Sequence, residues 1–185
     1  HEVYNLHRDP AHPPPFREDR PLSTPASFAG ASKLMDEVLA LTYFRTDGIY
    51  SVGLRLFSVY GPWGLPGSPL YEMAERAAHG GAPLDIDTDV LHDVRDYVYV
   101  DDAVDAIMSA MQFRYERPVV FNVGSGAGTT LLQVGQKMEA LMGGGGNASS
   151  VAPREPETVS IADPGRSERV LGFKARVPLE QGLER

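Results

Sequence analysis

Lys33 is the first residue of this sequence whose position suggests chemistry. It lies in "SFAGASKLMDEVL" (27–39), where apolar residues recur at helical spacing. On a helix, the residue four positions earlier shares a face with Lys33, so an acid there would feel the lysine's positive charge. That residue is Ala29, which has no acid–base group. Lys33 therefore has two open interpretations, a ligand-binding cation and an exposed helical lysine.

A glycine-rich turn is the second candidate. In "VVFNVGSGAGTTLLQVG", a predicted strand runs into three glycines (124–128) before a predicted helix, as in a dinucleotide-binding turn. The spacing is G-x-G-x-G rather than G-x-G-x-x-G, and no second strand ending in an acidic residue follows about 20 residues later. We therefore predict a structural turn in which Thr129 or Thr130 caps the next helix.

Neither the acidic pairs nor the histidines form a recognisable catalytic or metal-binding pattern. Asp101 and Asp102 stand at the start of a predicted helix, where the helix dipole favours carboxylates, so we expect them to cap it. The histidines lack metal-ligand spacing, and no metal site is predicted; they are His1, His7, His12, His79 and His92.

Helical and strand patterns alternate along the chain. Helices are predicted over 27–45, 70–81, 100–113 and 129–142, with shorter ones near 164–171 and 178–184. Strands are predicted over 49–61 and 118–126, and as short segments within 84–100. Prolines and glycines make 5–25 and 61–69 irregular loops and 143–150 a flexible turn. This alternation predicts an α/β fold built on a parallel sheet.

In the helix over 100–113, the large apolar residues fall at helical spacing and predict one apolar face. They are Val104, Ile107, Met108 and Met111.

Composition excludes several classes of protein. The 185 residues carry a formal net charge of −8, which disfavours nonspecific nucleic-acid binding. The absence of cysteine removes disulfides, thiolate nucleophiles and cysteine metal sites. No apolar run approaches the roughly 20 residues that span a bilayer, so no transmembrane segment is expected.

Five segments, in order, resemble the extended short-chain dehydrogenase/reductase family, in particular its NAD-dependent epimerases of the UDP-glucuronate 4-epimerase type. "PASFAGASKLMDEVL" resembles the family's P-x-S-x-Y-x-x-[ST]-K helix, and "VRDYVYVDDAVDAI" its R-D-[FY]-x-[YH]-[IV]-D-D segment. The other three are "GLRLFSVYGPWGLPGSP", "VFNVGSG" and "PREPETVSIADPGRSERVLGFKARVPLEQGL".

The resemblance implies the C-terminal part of a Rossmann-type parallel sheet, followed by a small mixed α/β substrate-binding lobe. It divides the chain into 1–60 and 61–185, with segments near 98–123 returning to the Rossmann sheet. The family's N-terminal half, which carries its NAD loop, is expected to precede this region.

The resemblance also assigns residues to the cofactor NAD. It gives Lys33 a catalytic role and a contact with the nicotinamide ribose, and it places Phe57 and Val59 beside the cofactor. The family's catalytic tyrosine, whose phenolate accepts the proton as hydride passes to NAD, corresponds to Ala29.

Four further residues are assigned to a UDP-sugar: Ser58 to the sugar, Arg95 to the diphosphate, and Arg154 and Glu157 to the diphosphate and uridine ribose. Arginine suits phosphate because its guanidinium donates two parallel hydrogen bonds. Two alternatives remain open, an ion pair of Arg95 with Asp96 and a solvated charge cluster for the other two residues.

Two functional hypotheses follow. The first is an NAD-dependent nucleotide-sugar epimerase homologue, impaired because Ala29 replaces the tyrosine. The second is a non-catalytic epimerase-like accessory subunit whose partners are proteins of a larger assembly. We predict that the purified protein has no epimerase activity.

Overall fold

The fold is taken from a computed structural model that describes residues 2–4, 13–22, 24–79, 88–142 and 154–185. The helices are α1 (Phe28–Asp47), α2 (Pro69–His79), α3 (Thr88–His92), α4 (Val100–Gln112), α5 (Leu131–Leu141) and α6 (Leu179–Leu183). The strands are β1 (Val52–Leu56), β2 (Ser58–Tyr60), β3 (Val94–Tyr99), β4 (Val119–Val123), β5 (Gly128–Thr130) and β6 (Val159–Ser160). Helices and strands alternate, as the sequence predicted.

Helix α1 begins and ends where its capping residues require. The Ser27 hydroxyl accepts a hydrogen bond from the Gly30 amide at 2.9 Å, which satisfies one free N–H of the first turn. Gly48 follows the last turn in a left-handed conformation, with φ of 68°, which glycine adopts without steric cost. The predicted helix and its N-cap are confirmed.

Strands β1 and β4 form a two-stranded parallel sheet with Val52 opposite Val119 and Leu56 opposite Val123. One face of β1 packs into a core with Phe121 and Ala106, so this face lies under α4. The opposite face presents Arg55, which contacts α1.

A second sheet is built around β3. Its C-terminal half pairs in parallel with β2. Its N-terminal half pairs antiparallel with β5 and parallel with β6, so β3 is central at Arg95.

The single strand predicted over 49–61 was wrong, because the chain changes sheets at Phe57. The Phe57 amide still donates to the Val123 carbonyl at 2.9 Å, and the next residue, Ser58, pairs opposite Tyr97 of the other sheet. The run is mostly apolar on both sides of Phe57, so the pairing partners reveal the division more clearly than the sequence does.

The short strands predicted before β3 were also wrong where the structure describes them. Residues 88–92 form α3, and 84–87 lie outside the described residues. Leu91 of α3 packs in a buried cluster with Met73 and Leu131, and this long-range packing decides the local conformation.

Helix α4 buries its small residues, and its predicted apolar face is exposed. The small residues Ala103 and Ala106 are buried, whereas the larger Val104 and Met111 are 50% and 67% exposed. Small side chains let the helix approach the sheet closely, and the large apolar side chains then point outward.

The remaining predicted elements agree with the structure. Thr130 caps α5 in a reciprocal capping box with Gln133. Residues 165–171 are helical and include a π-helical turn (Ser167–Leu171), and α6 lies within the last predicted helix. The turn predicted over 143–150 lies outside the described residues, and the division into 1–60 and 61–185 stays a prediction.

Candidate functional site

The candidate site is centred on Arg95, which has a hydroxyl residue on each neighbouring strand. Thr129 of β5 and Ser160 of β6 are its direct register partners. Residues directly opposite each other in a sheet project to the same face, so the three form a polar row across the sheet. The Arg95 side chain is 35% exposed and can meet a ligand from solvent, whereas Ser160 is buried.

The alternative interpretation paired Arg95 with Asp96. In the structure Arg95 instead forms an ion pair with Asp93. The Arg95 Nη2 atom lies 3.5 Å from Asp93 Oδ2, while Asp93 Oδ1 accepts the Thr158 amide at 3.1 Å. Asp93 therefore ties β3 to the segment before β6 and holds the guanidinium at one end of the polar row.

Two buried side-chain atoms near Arg95 have no hydrogen-bond partner among the described residues. One belongs to a residue three positions before Arg95, and the other belongs to its register partner on β6. They are Nε2 of His92 and Oγ of Ser160. Unsatisfied buried polar atoms cost free energy and often mark sites completed by another group. No local sequence pattern predicts that either atom is buried without a partner, because their burial depends on β6 and α3.

Asp96 is fully buried and holds the glycine-rich turn. Its carboxylate accepts hydrogen bonds from the Ser125 amide and hydroxyl, each at 2.7 Å, from Gly126 N at 2.9 Å and from Ala162 N at 3.1 Å. Burial raises the pKa of Asp96, and these four hydrogen bonds oppose that rise. A Cβ at Gly124 would lie 2.6 Å from Asp96 Oδ2, which explains the glycine. The prediction of a structural turn is confirmed.

Lys33 is an exposed helical lysine in this structure. Its side chain is 68% exposed, and its Nζ atom lies 3.2 Å from Asp36 Oδ2 on the same helix. Ala29, one turn earlier, is also exposed.

The other two residues assigned to the cofactor differ in burial. Phe57 is 3% exposed and packs with Tyr4 and Phe16, whereas Val59 is 42% exposed.

The remaining residues assigned to a UDP-sugar lie at different places around β3. Ser58 is half-buried in β2, directly opposite Tyr97 of β3. Arg154 and Glu157 are exposed in the segment that leads into β6, whose Ser160 adjoins Arg95. Arg154 and Glu157 thus precede the register partner of Arg95 by six and three residues along the chain.

Asp101 and Asp102 lie in the first turn of α4, as predicted, but neither side chain caps the helix by a hydrogen bond. Asp102 is 3% exposed, and its Oδ2 atom accepts the Arg176 and Val177 amides, each at 3.0 Å. Asp101 lies 3.5 Å from Arg185. The first turn of α4 binds the C-terminal segment, because that segment passes over it in the folded chain. A local sequence pattern does not reveal a contact between segments so far apart in the chain.

A buried polar network that sequence reasoning missed joins α1 to the first sheet. Arg55 donates to both carboxylate oxygens of Glu37 at 2.8 Å and to the Tyr4 hydroxyl at 2.7 Å. Tyr4 in turn donates to Asn122 Oδ1 at 2.7 Å. An arginine inside the apolar strand "GLRLF" was the available signal, because a buried charge needs a partner.

In this network the Arg55 guanidinium is charged and the Tyr4 hydroxyl is neutral. Burial lowers the pKa of Arg55, but its bonds to Glu37 and Tyr4 outweigh burial and hold that pKa above its usual range. Burial also raises the pKa of Tyr4, so its hydroxyl stays protonated at neutral pH.

A groove of about 740 Å³ begins at Thr129 of the polar row. Its walls include Tyr97, two residues along β3, and Thr129, directly across from Arg95, together with Gln133 and Lys137 of α5. Burial raises the pKa of Tyr97 to about 12. The volume lies within the roughly 300–1,000 Å³ typical of small-molecule sites.

Among the described residues, no group of three or more acidic, histidine or cysteine side chains is arranged to hold a metal ion. In the same residues, no helix combines the length and apolarity needed to cross a membrane.

Comparison with known proteins identifies the family. The family model described as "NAD dependent epimerase/dehydratase family" matches residues 2–124. The chain belongs to this family. It is 30% identical over 175 residues to an uncharacterized protein of Methanocaldococcus jannaschii, covering 92% of this chain and 52% of that protein. It is 29% identical over 175 residues to a UDP-glucuronate 4-epimerase of Thermodesulfobacterium geofontis, covering 93% and 53%.

Solved structures agree on the fold. The UDP-glucuronic acid 4-epimerase of Bacillus cereus, in complex with UDP-glucuronic acid and NAD, superposes with a TM-score of 0.83 at 28% identity. That match covers 99% of this chain and 56% of the other. A Thermotoga maritima UDP-glucose 4-epimerase with UDP-glucose gives a TM-score of 0.74 at 30% identity, covering 88% and 53%. The α/β, Rossmann-type fold is thus confirmed, and the chain spans about half the length of these relatives.

The family is NAD-dependent, but the described residues do not fit a complete dinucleotide site. The amides of Ser125 and Gly126 already donate to Asp96 and are not directed at a pyrophosphate. Lys33 is exposed and is the one assigned cofactor residue that carries a charge.

Proposed function

We propose that this chain provides the nucleotide-sugar-binding part of a UDP-glucuronate 4-epimerase-like protein and does not by itself catalyse epimerisation. The observation that carries the proposal is the half-exposed Arg95 guanidinium between Thr129 and Ser160. A guanidinium beside hydroxyl groups is suited to a diphosphate, because it offers charge-assisted, parallel hydrogen bonds. The named relatives that act on or bind UDP-sugars support this choice of ligand.

Loss of catalysis follows from the residues around Lys33. Ala29 has no proton to exchange, and the Lys33 ammonium is paired with Asp36 in solvent. General acid–base catalysis contributes roughly 10²- to 10⁴-fold to rate, and the position one turn before Lys33 has no group to supply it. Arg154 and Glu157 are proposed as secondary contacts to the diphosphate and ribose, and Ser58 as a sugar contact.

The test is calorimetric titration with UDP, followed by an assay for epimerisation of UDP-glucuronate. We expect UDP binding that Arg95→Met weakens about 10- to 100-fold, the effect of losing a hydrogen bond to a charged group. Arg114→Met is the matched control, because Arg114 is an exposed arginine beyond α4. Equal affinity in both variants contradicts the binding proposal, and turnover abolished by Lys33→Ala contradicts the absence of catalysis.

A second candidate function is a non-catalytic subunit of a larger assembly. The large apolar residues exposed on α1 and α4 favour it, because such surface is normally covered by protein. The native mass of the complex containing this chain distinguishes a subunit from a free monomer.

A further inference from the structure

The groove that begins at Thr129 runs beside β3 and has Tyr97 in its wall. Arg95 and Tyr97 are two residues apart in this strand, so their side chains project to the same face of the sheet. Thr129, the register partner of Arg95, also lines the groove. The groove therefore extends from the proposed diphosphate site to Tyr97.

Tyr97 is buried, but its hydroxyl has no protein partner. The residue is 8% exposed, and its ring packs edge-on against Tyr60 with 6.2 Å between centroids. Within the part of the chain that the structure describes, the Tyr97 hydroxyl forms no hydrogen bond. The hydroxyl oxygen is also not one of the completely enclosed side-chain atoms that lack a partner. It is therefore accessible from the groove that Tyr97 lines.

Tyr60, in the same aromatic cluster, provides a contrast. It is 5% exposed, and its hydroxyl donates to the carbonyl oxygens of Leu179 at 3.3 Å and Pro178 at 3.5 Å. Two neighbouring buried tyrosines thus differ in one respect, since the hydroxyl of one is used within the chain and the other is not. A phenol both donates and accepts hydrogen bonds, and leaving it unpaired on burial costs free energy.

The polar groups along the groove indicate what it can hold. Its two charged residues compensate each other, because Lys137 of α5 pairs with Glu180 of α6. The other polar side chains of the described lining are hydroxyls and amides, including those of Thr129, Gln133 and Gln136. Such a lining exchanges hydrogen bonds with a hydroxylated, uncharged group and offers no unpaired cation to a second anion.

We infer that the Tyr97 hydroxyl donates a hydrogen bond to an uncharged, hydroxylated ring of the ligand whose diphosphate binds Arg95, and that this ring lies in the groove beside Thr129. Two residues of a strand span about 7 Å, so a ring attached next to the diphosphate reaches Tyr97. In a UDP-sugar, the ribose and the hexose are both attached in this way. The inference rests on the proposed function, because the Arg95 contact is its anchor.

The test is calorimetric titration of the unsubstituted chain, Tyr97→Phe and Tyr60→Phe with three ligands. UDP carries the ribose, glucose 1-phosphate carries the hexose, and inorganic pyrophosphate carries neither ring. Tyr97→Phe should weaken the binding of at least one ring-bearing ligand about 3- to 10-fold, the effect of losing one hydrogen bond to an uncharged group. The ligand that is affected identifies the ring. Pyrophosphate should bind equally to all three proteins, and Tyr60→Phe should leave every affinity unchanged.

Urea denaturation at pH 7 separates a ligand contact from a structural role. Tyr97→Phe keeps the ring packing and removes a hydroxyl without a protein partner, so the urea midpoint of the free chain should stay the same or rise. Tyr60→Phe removes a hydroxyl that is bonded within the chain, so its midpoint should fall. A midpoint for Tyr97→Phe that falls as far as that of Tyr60→Phe overturns the inference.

The binding outcomes also distinguish this inference from the proposed function. UDP and glucose 1-phosphate that bind equally to the unsubstituted chain and to Tyr97→Phe overturn the inference, while loss of UDP binding in Arg95→Met still supports the diphosphate site. Weaker binding of pyrophosphate to Tyr97→Phe overturns it as well, because the effect then does not come from a ring. A chain that binds no UDP at all overturns the proposed function and this inference together.

Discussion

The sheet around β3 and the sheet formed by β1 and β4 differ in how completely they are enclosed. Strand β3 has neighbours on both sides, and its buried Asp96 is satisfied by four donors. Strand β1 has one neighbouring strand among the described residues, and the helices on its two faces turn large apolar side chains outward. At Arg95, β3 is therefore enclosed on both edges, whereas β1 has one described strand neighbour and lies between helices with exposed apolar side chains.

The largest expected effect tests the completeness of the β3 region. Asp96→Asn directs an amide NH₂ group at backbone N–H donors and leaves about two of them unsatisfied, at roughly 2 kcal/mol each. We expect a loss of about 4 kcal/mol in the free energy of unfolding, measured by urea denaturation. Asp101→Asn, at an exposed ion pair, should change stability by less than about 0.5 kcal/mol. Similar losses in both variants would show that Asp96 does not organise the glycine-rich turn.

The second prediction concerns the buried charge of the β1 region. Arg55→Met leaves the Glu37 carboxylate and the Tyr4 hydroxyl without their donor, and we expect a loss of about 3 kcal/mol. Lys33→Met removes an exposed pair from the same helix and should cost less than about 0.5 kcal/mol.

The double variant Arg55→Met with Glu37→Leu checks the cause. It removes both charges and should recover part of the stability, because apolar replacement of a buried pair is often tolerated. No recovery would indicate that α1 is held by other contacts.

The third prediction is a loss of stability at alkaline pH that belongs to the β3 region. Burial raises the pKa of Tyr97 from 10.0 to about 12, so the folded protein favours the neutral phenol. The stabilisation is fully present below pH 10 and is lost as the pH rises toward 12, by about 2–3 kcal/mol in total. Tyr97→Phe should flatten this part of the stability profile and remove one late step from the absorbance titration of phenolates. An unchanged titration would contradict the burial of Tyr97.

The prediction with the smallest effect compares an exposed residue of α1 with a buried residue of β3. Leu39→Ser on the exposed side of α1 should change the stability of the isolated chain by less than about 0.5 kcal/mol, because the Leu39 side chain is already 51% exposed. Val98→Ala in β3, where Val98 is 1% exposed, should cost about 1–3 kcal/mol through lost burial and a cavity. A large loss for Leu39→Ser would show that α1 is covered within the chain itself.

Local sequence patterns were sufficient for the long helices. Helix α1 was predicted from its apolar period and its Ser27 cap, and α5 with a cap at Thr129 or Thr130, of which the structure uses Thr130. Such caps are predictable because they depend on residues within one turn. The structural role of the Gly124 turn was predicted from the spacing of its glycines, which is a local property, and the structure shows Asp96 holding that turn.

The candidate site was predicted only in part. Arg95 was identified from its motif, but its partners are set by strands 34 and 65 residues away along the chain, at Thr129 and Ser160. The wrong pairing of Arg95 with Asp96 has the same origin, since adjacent strand residues project to opposite faces and Asp96 instead binds the turn beyond β4.

The sequence by itself determined the α/β class, the order of the long helices and the absence of an acid–base group one turn before Lys33. These properties depend on neighbours a few residues apart. The tertiary structure alone decided that Phe57 divides one apolar run between two sheets, that α4 turns its alanines inward, and that Arg55 is buried against Glu37. Periodicity shows that a helix or strand has an apolar face, but which face becomes buried depends on the size and polarity of what packs against it.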